Sequence, residues 1–111
     1  MTIRPSLPSD LAQIVEVVIL GFESDPMWPW MFPYRKEYPE DHRKYTSLLW
    51  ERYIDPKNED WEVIVAEDFV DREKREGEKR VVAVSLWDVS FRHGGMKFGN
   101  RQFSSFFLYY R

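Results

Sequence analysis

Leu11, Ile14, Val15, Val18 and Phe22 recur at three- and four-residue intervals, with Gln13, Glu16 and Glu23 mainly on the other side. That period predicts an amphipathic helix. Pro8, Ser9 and Asp10 mark its start, where Ser9 or Asp10 can cap and the acid suits the positive helix end. Its β-branched residues lower helix propensity, so packing must hold it. Asp25-Pro26 predicts its end. A second helix is predicted from Pro39-Glu40-Asp41, with proline and acids in the first turn. Tyr45, Leu48, Leu49 and Tyr53 give its apolar face, and Asp55-Pro56-Lys57-Asn58 stops it. Thr2 to Arg4 predicts a short strand ending at Pro5, which lacks the N–H a ladder needs. Trp61 to Glu67 and Val81 to Val89 are β-branched and aromatic, so both are predicted strands. They are expected to pair antiparallel across Asp68 to Lys79, a mixed-charge connection too long for a tight hairpin.

Two stretches do not follow either period. Pro26 to Pro39 holds four prolines among Trp28, Trp30, Phe32, Tyr34 and Tyr38. The prolines forbid a long helix or central strand, while the rings demand burial. An irregular but packed loop is expected. Aromatic walls with a few polar groups also suit a small-molecule pocket, and plain core packing explains the same residues equally well. After Ser90 the acids stop. Phe91 to Arg111 carries Arg92, Lys97, Arg101 and Arg111, with rings at Phe91, Phe98, Phe103, Phe106, Phe107, Tyr109 and Tyr110. An irregular basic tail is expected there, either a poorly packed extension or an edge strand, with Phe103–Tyr110 able to fold back as a substitute strand.

Composition narrows the class. The 111 residues leave room for one small domain, which buries roughly 60–70% of its unfolded surface. A hydrophobic share of 43% and an aromatic share of 17% argue against disorder. The net charge of −3 supplies no global field for nucleic acid or a membrane surface. There is no cysteine, which excludes disulfides, thiolate metal sites and a cysteine nucleophile. Gln13 and Glu16 break the best N-terminal apolar run, so no secretory signal is expected. Nothing approaches the roughly 20 apolar residues of a membrane span. The expectation is a soluble, cytoplasmic protein.

Candidate chemistry is sparse. His93-Gly94-Gly95-Met96-Lys97-Phe98-Gly99 is glycine-rich, but Lys97 is followed by Phe98 and Gly99 and no helix pattern follows, so a phosphate loop fails. An ordinary turn is expected. His42 and His93 lack companion ligands at metal-site spacing, and each is read as a surface histidine. Glu37, Glu40 and Asp41 could supply a base, although helix-start acids explain Glu40 and Asp41 without any chemistry. The basic aromatic tail resembles a crude nucleic-acid surface, which the acidic chain as a whole disfavours.

The order of elements and particular residues carry a family resemblance. Thr2-Ile3-Arg4-Pro5 with Pro8-Ser9-Asp10-Leu11 resembles the opening of a GNAT-superfamily N-acetyltransferase domain. Asp25-Pro26, Phe32-Pro33-Tyr34-Arg35 and Tyr38-Pro39-Glu40-Asp41 are similar to the linker of GNAT-like proteins common in fungi, and Trp61–Glu67 and Val81–Trp87 resemble the second and third strands. The resemblance covers residues 2–89. It implies an α+β fold that is a partial GNAT-like domain, β-α-α-β-β, with a short mixed or antiparallel sheet. Residues 1–90 would be its N-terminal half and 91–111 the tail.

The resemblance further implies an acetyl-CoA-dependent acyltransferase with an amine acceptor, and Trp30, Phe32, Tyr34 and Arg35 as acceptor-pocket wall. The family's CoA pyrophosphate loop, Gln/Arg-x-x-Gly-x-Gly/Ala, is matched only in its first half, because Lys97 stands where Gly or Ala belongs. No catalytic or cofactor residue carries over. The change at Ser90 is what a truncated or misspliced product would show, and an inactive chain is expected. The alternative is a non-catalytic interaction module or pseudoenzyme. It would self-associate through an unpaired edge of the Val81–Val89 strand.

Overall fold

A computed structural model describes residues 1–93 and the backbone of Ser104–Leu108. The glycine-rich turn beyond His93, and the positions Lys97, Phe98, Arg101, Phe103, Tyr109, Tyr110 and Arg111, lie outside the described residues. Strand β1 (Thr2–Pro5) leads through a 3-10 turn, Pro8–Asp10, into helix α1 (Leu11–Gly21). A one-turn helix α2 (Met27–Met31) and helix α3 (Pro39–Ile54) follow. Strands β2 (Trp61–Phe69), β3 (Lys79–Asp88) and β4 (Ser104–Leu108) complete an α+β fold. The sheet order is β1-β2-β3-β4 and every pair is antiparallel.

Alternation along the strands decides which side is buried. Val63 and Val65 of β2 enter the core, while Ile64 and Ala66 point to the opposite face. On β3 the core residues are Val81, Val84 and Leu86. The step from 81 to 84 breaks a period of two, and the pairing shows why. Ala66 faces Ala83 but Glu67 faces Val81, so Val82 is the extra residue of a β-bulge. The bulge leaves the Val81 N–H without a ladder partner, and it donates instead to Gln13 Oε1 of α1 at 2.7 Å. Helices α1 and α3 cover this face of the sheet, with Ile14, Val17 and Val18 from α1 and Trp50 and Ile54 from α3 in one cluster with the strands.

The first turn is locked by charge. Asp10 accepts hydrogen bonds from Arg4 Nη1 at 2.8 Å and Nη2 at 3.0 Å, and from the Leu7 N–H at 2.7 Å. Arg4 Nη2 also donates to Glu67 at 3.3 Å. Asp10 therefore ties β1 to the entry of α1, and the Arg4 guanidinium holds its carboxyl below the ordinary value despite burial.

Four expectations are corrected. Residues 104–108 are not an irregular tail but a strand beside β3, pairing Ala83–Trp87 with Leu108–Ser104. The expected open edge of β3 is therefore paired over Ala83–Trp87. The segment Pro26–Pro39 contains the helix α2, because Pro29 sits in its first turn, where a missing N–H is tolerated. The buried stripe of α3 is His42, Thr46, Trp50 and Ile54, at four-residue steps. Tyr45, Leu48 and Leu49 are exposed instead, and of the expected face only Tyr53 packs on the core.

Candidate functional site

The junction of α2 and α3 is organised by rings. Trp28, buried in α2, stacks on Phe22 at 4.6 Å between centroids, within 11° of parallel. Its ring also meets Phe32 at 4.7 Å and the edge of His42 at 5.3 Å, while Phe32 meets His42 at 4.8 Å. The short helix is started by Asp25, whose Oδ1 accepts the Met27 N–H at 2.8 Å. After it, the turn from Phe32 to Tyr38 is closed by the Tyr38 N–H donating to the Tyr34 carbonyl at 2.9 Å.

This turn and the first two turns of α3 enclose a groove of about 280 Å³, lined by Phe32, Tyr34, Arg35, Tyr38, Asp41, His42 and Tyr45 among others. Of the four residues nominated from sequence, Phe32, Tyr34 and Arg35 line it. Trp30 does not. It is 78% exposed on the outer side of α2.

His42 departs most from expectation. It is not a surface residue: it is 8% exposed, and among the described residues neither ring nitrogen has a hydrogen-bond partner. Burial lowers its pKa, and the guanidinium groups of Arg35 and Arg43 lower it further. The imidazole is thus neutral, offering one donor and one lone pair. Sequence reading missed His42 because it looked for apolar residues on α3. The available signal was the four-residue step from His42 to Thr46, Trp50 and Ile54. Tyr38, from the aromatic linker, and Asp41, a candidate base, also line the groove, joined by Tyr45, which was expected on the apolar face of α3.

The groove carries both charges. Arg35 Nη1 donates to the Phe32 carbonyl at 3.5 Å, a long bond, and makes no salt bridge among the described residues. Asp41 likewise forms no ion pair among the described residues, whereas neighbouring Arg43 is engaged by Glu16 at 2.6 Å. A roomier hollow, about 550 Å³, lies on the sheet face away from the helices and is walled by Ile3, Ile64, Ala66, Ala83 and Trp87. Its polar groups are already engaged: Arg92 donates to Glu62 at 3.3 Å, and Trp87 Nε1 donates to Ser85 Oγ at 3.0 Å. It offers apolar surface without convergent polar groups to orient a ligand.

Among the described residues no three His, Asp or Glu side chains are grouped to hold a metal ion. No described helix is long and apolar enough to cross a membrane. No family model matches the chain, and neither a curated protein nor a solved structure does.

Proposed function

We propose that the chain carries the amine-acceptor side of an N-acetyltransferase of the GNAT kind. The reading is supported by the α2–α3 groove, which gathers tyrosines, an unpaired carboxylate and a neutral imidazole in the segment that the resemblance assigns to the acceptor. Its setting agrees: helices inserted between β1 and β2, followed by an antiparallel β2-β3-β4 run. Tyrosine faces attract an ammonium group, and Asp41 adds an opposite charge.

Acetyl-CoA does not fit the described residues. A pyrophosphate needs free backbone N–H groups at a helix start. The Asp10 carboxylate already fills the turn that leads into α1, Asp25 takes the Met27 N–H of α2, and α3 opens with Pro39, Glu40 and Asp41. Gly77, in the left-handed region at φ +88°, lies between Glu76 and Glu78, where an anion is repelled. The function proposed is therefore binding of the acceptor, without a transfer step.

Nuclear magnetic resonance titration of the whole chain with phenylethylamine tests it. Amide shifts are expected in Met31–Tyr45 and not along β2 or β3. Groove amides that stay still at millimolar amine would overturn the reading. Calorimetry with CoA is expected to give no heat of binding, and saturable binding would favour the acetyl-CoA-dependent acyltransferase that the resemblance implies.

A further inference from the structure

The groove has a second polar end that an amine alone leaves unused. Arg35 and Asp41 line the same 280 Å³ space yet form no salt bridge with each other. A guanidinium recognises a carboxylate through paired N–H donors, and a carboxylate accepts from an ammonium group. The same space is lined by Phe32, Tyr34, Tyr38 and Tyr45, whose faces suit a flat apolar body. The volume lies just below the usual range for drug-sized ligands, about 300–1,000 Å³. The occupant is therefore small.

His42 backs the groove with a neutral ring. More than nine-tenths of it is buried in the groove wall, with both nitrogens unpartnered. Buried polar groups in native folds are nearly always hydrogen-bonded, and an exception calls for an explanation. Leaving such a group unsatisfied costs about 1–3 kcal/mol; both nitrogens are shielded, so His42 backs the groove as a neutral wall and the occupant's polar ends fall to Arg35 and Asp41.

We propose that the groove takes an aromatic α-amino acid as its zwitterion, the carboxylate on Arg35, the ammonium on Asp41 and the ring against the tyrosines. The inference rests on the acceptor-site reading and narrows it from amines in general to one class. It concerns binding alone.

Three ligands with the same ring separate the terms: L-phenylalanine, phenylethylamine, which lacks the carboxylate, and phenylpropanoate, which lacks the amine. Their affinities for the whole chain are measured by amide shifts in Met31–Tyr45. L-Phenylalanine is expected to bind at least about tenfold more tightly than either single-charge analogue, the scale of one charge-assisted contact. Arg35→Gln should bring L-phenylalanine down to the level of phenylethylamine while leaving phenylethylamine unchanged. Asp41→Asn should do the converse for phenylpropanoate. Phenylethylamine binding as tightly as L-phenylalanine, with shifts in the groove, would sink the amino-acid inference and keep the acceptor site. Silence from all three ligands would remove both.

Discussion

Replacing His42 by Phe should stabilise the protein and remove part of its dependence on pH. The wild-type imidazole has two shielded nitrogens without partners, packed against Trp28 and Phe32. An unsatisfied buried polar group costs about 1–3 kcal/mol, and a phenyl ring meets the same two rings without that cost. Phenylalanine is slightly larger, and overpacking works against the gain. The net expected at pH 8 is about 1–2 kcal/mol, a rise in Tm of about 4–8 °C for a domain of this size.

The pH arm follows from linkage. The folded-state pKa of His42 lies below its ordinary 6.5, because of burial and then Arg35 and Arg43. Below 6.5 the unfolded chain therefore binds more protons than the native one, so native stability falls as pH falls. The slope is at most about 1.4 kcal/mol per pH unit, one proton's worth, and flattens at the folded pKa. The neighbouring groups are Arg35, Tyr38, Asp41, Arg43 with its partner Glu16, and Tyr45. Thermal unfolding followed by circular dichroism from pH 8 to pH 5 checks both parts. The wild-type Tm should drop through this window while that of His42→Phe stays nearly level. A wild-type Tm that is flat from pH 8 to 5 would refute a buried neutral imidazole. A variant less stable than wild type at pH 8 would show that the nitrogens are satisfied.

Asp10→Ala strips Arg4 of its main partner and leaves the Leu7 N–H unmet, so a loss of about 2–4 kcal/mol is expected in urea unfolding. The Asp10 carboxyl titrates lower when folded, so its contribution is full above the ordinary value of 3.8 and is lost as pH falls further. Its acid window is thus separate from that of His42. Gln13→Leu removes the acceptor of the Val81 N–H at the bulge, and about 1–2 kcal/mol should be lost. Hydrogen exchange at the Val81 amide should speed up, and unchanged protection would show that the bulge does not need Gln13. Trp28→Ala should cost about 3–5 kcal/mol in the same unfolding assay.

The parts of the fold legible in the sequence are those where one period dominates. Ile14, Val15 and Val18 announce α1 because a helix with a single apolar stripe has one way to bury it. The strands expected at Trp61–Glu67 and Val81–Val89 are legible because β-branched runs fit a pleated surface, though β2 and β3 run on to Phe69 and back to Lys79. Helix α3 misleads because its polar residues lie inside. His42 and Thr46 are buried, with Thr46 Oγ1 donating to the His42 carbonyl at 2.8 Å, while Leu48 and Leu49 face outward. Hydrophobicity ranks those pairs in the wrong order, and only spacing from Trp50 corrects it. The bulge at Val82 is invisible for a related reason. Val81, Val82, Ala83 and Val84 are alike in polarity, so nothing in their order marks where the register slips. Composition left the tail open between an extension and an edge strand, because pairing of β4 with β3 is a tertiary fact. Of the groove, the aromatic wall was legible from composition and Asp41 as a candidate base, whereas His42 was not, since a polar residue at a helix start reads as surface.

The groove and the core share a residue, and that fixes how binding and stability relate. Trp28 stacks on Phe22 at the end of α1 and also touches Phe32 and His42, which line the groove. A one-turn helix has almost no stability of its own, so α2 holds its place through this ring. The prolines at 26, 29 and 33 limit the conformations the linker can adopt when it is not packed. They lower the entropy cost of docking α2 and leave the wall of the groove dependent on a single anchor. His42→Phe keeps that anchor and should leave the groove in place. Trp28→Ala removes it, and should abolish ligand-induced shifts in Met31–Tyr45 even at temperatures where β2 and β3 remain folded. Ligand shifts that survive Trp28→Ala would mean that α3 alone shapes the groove, and the ring cluster would then serve the core only.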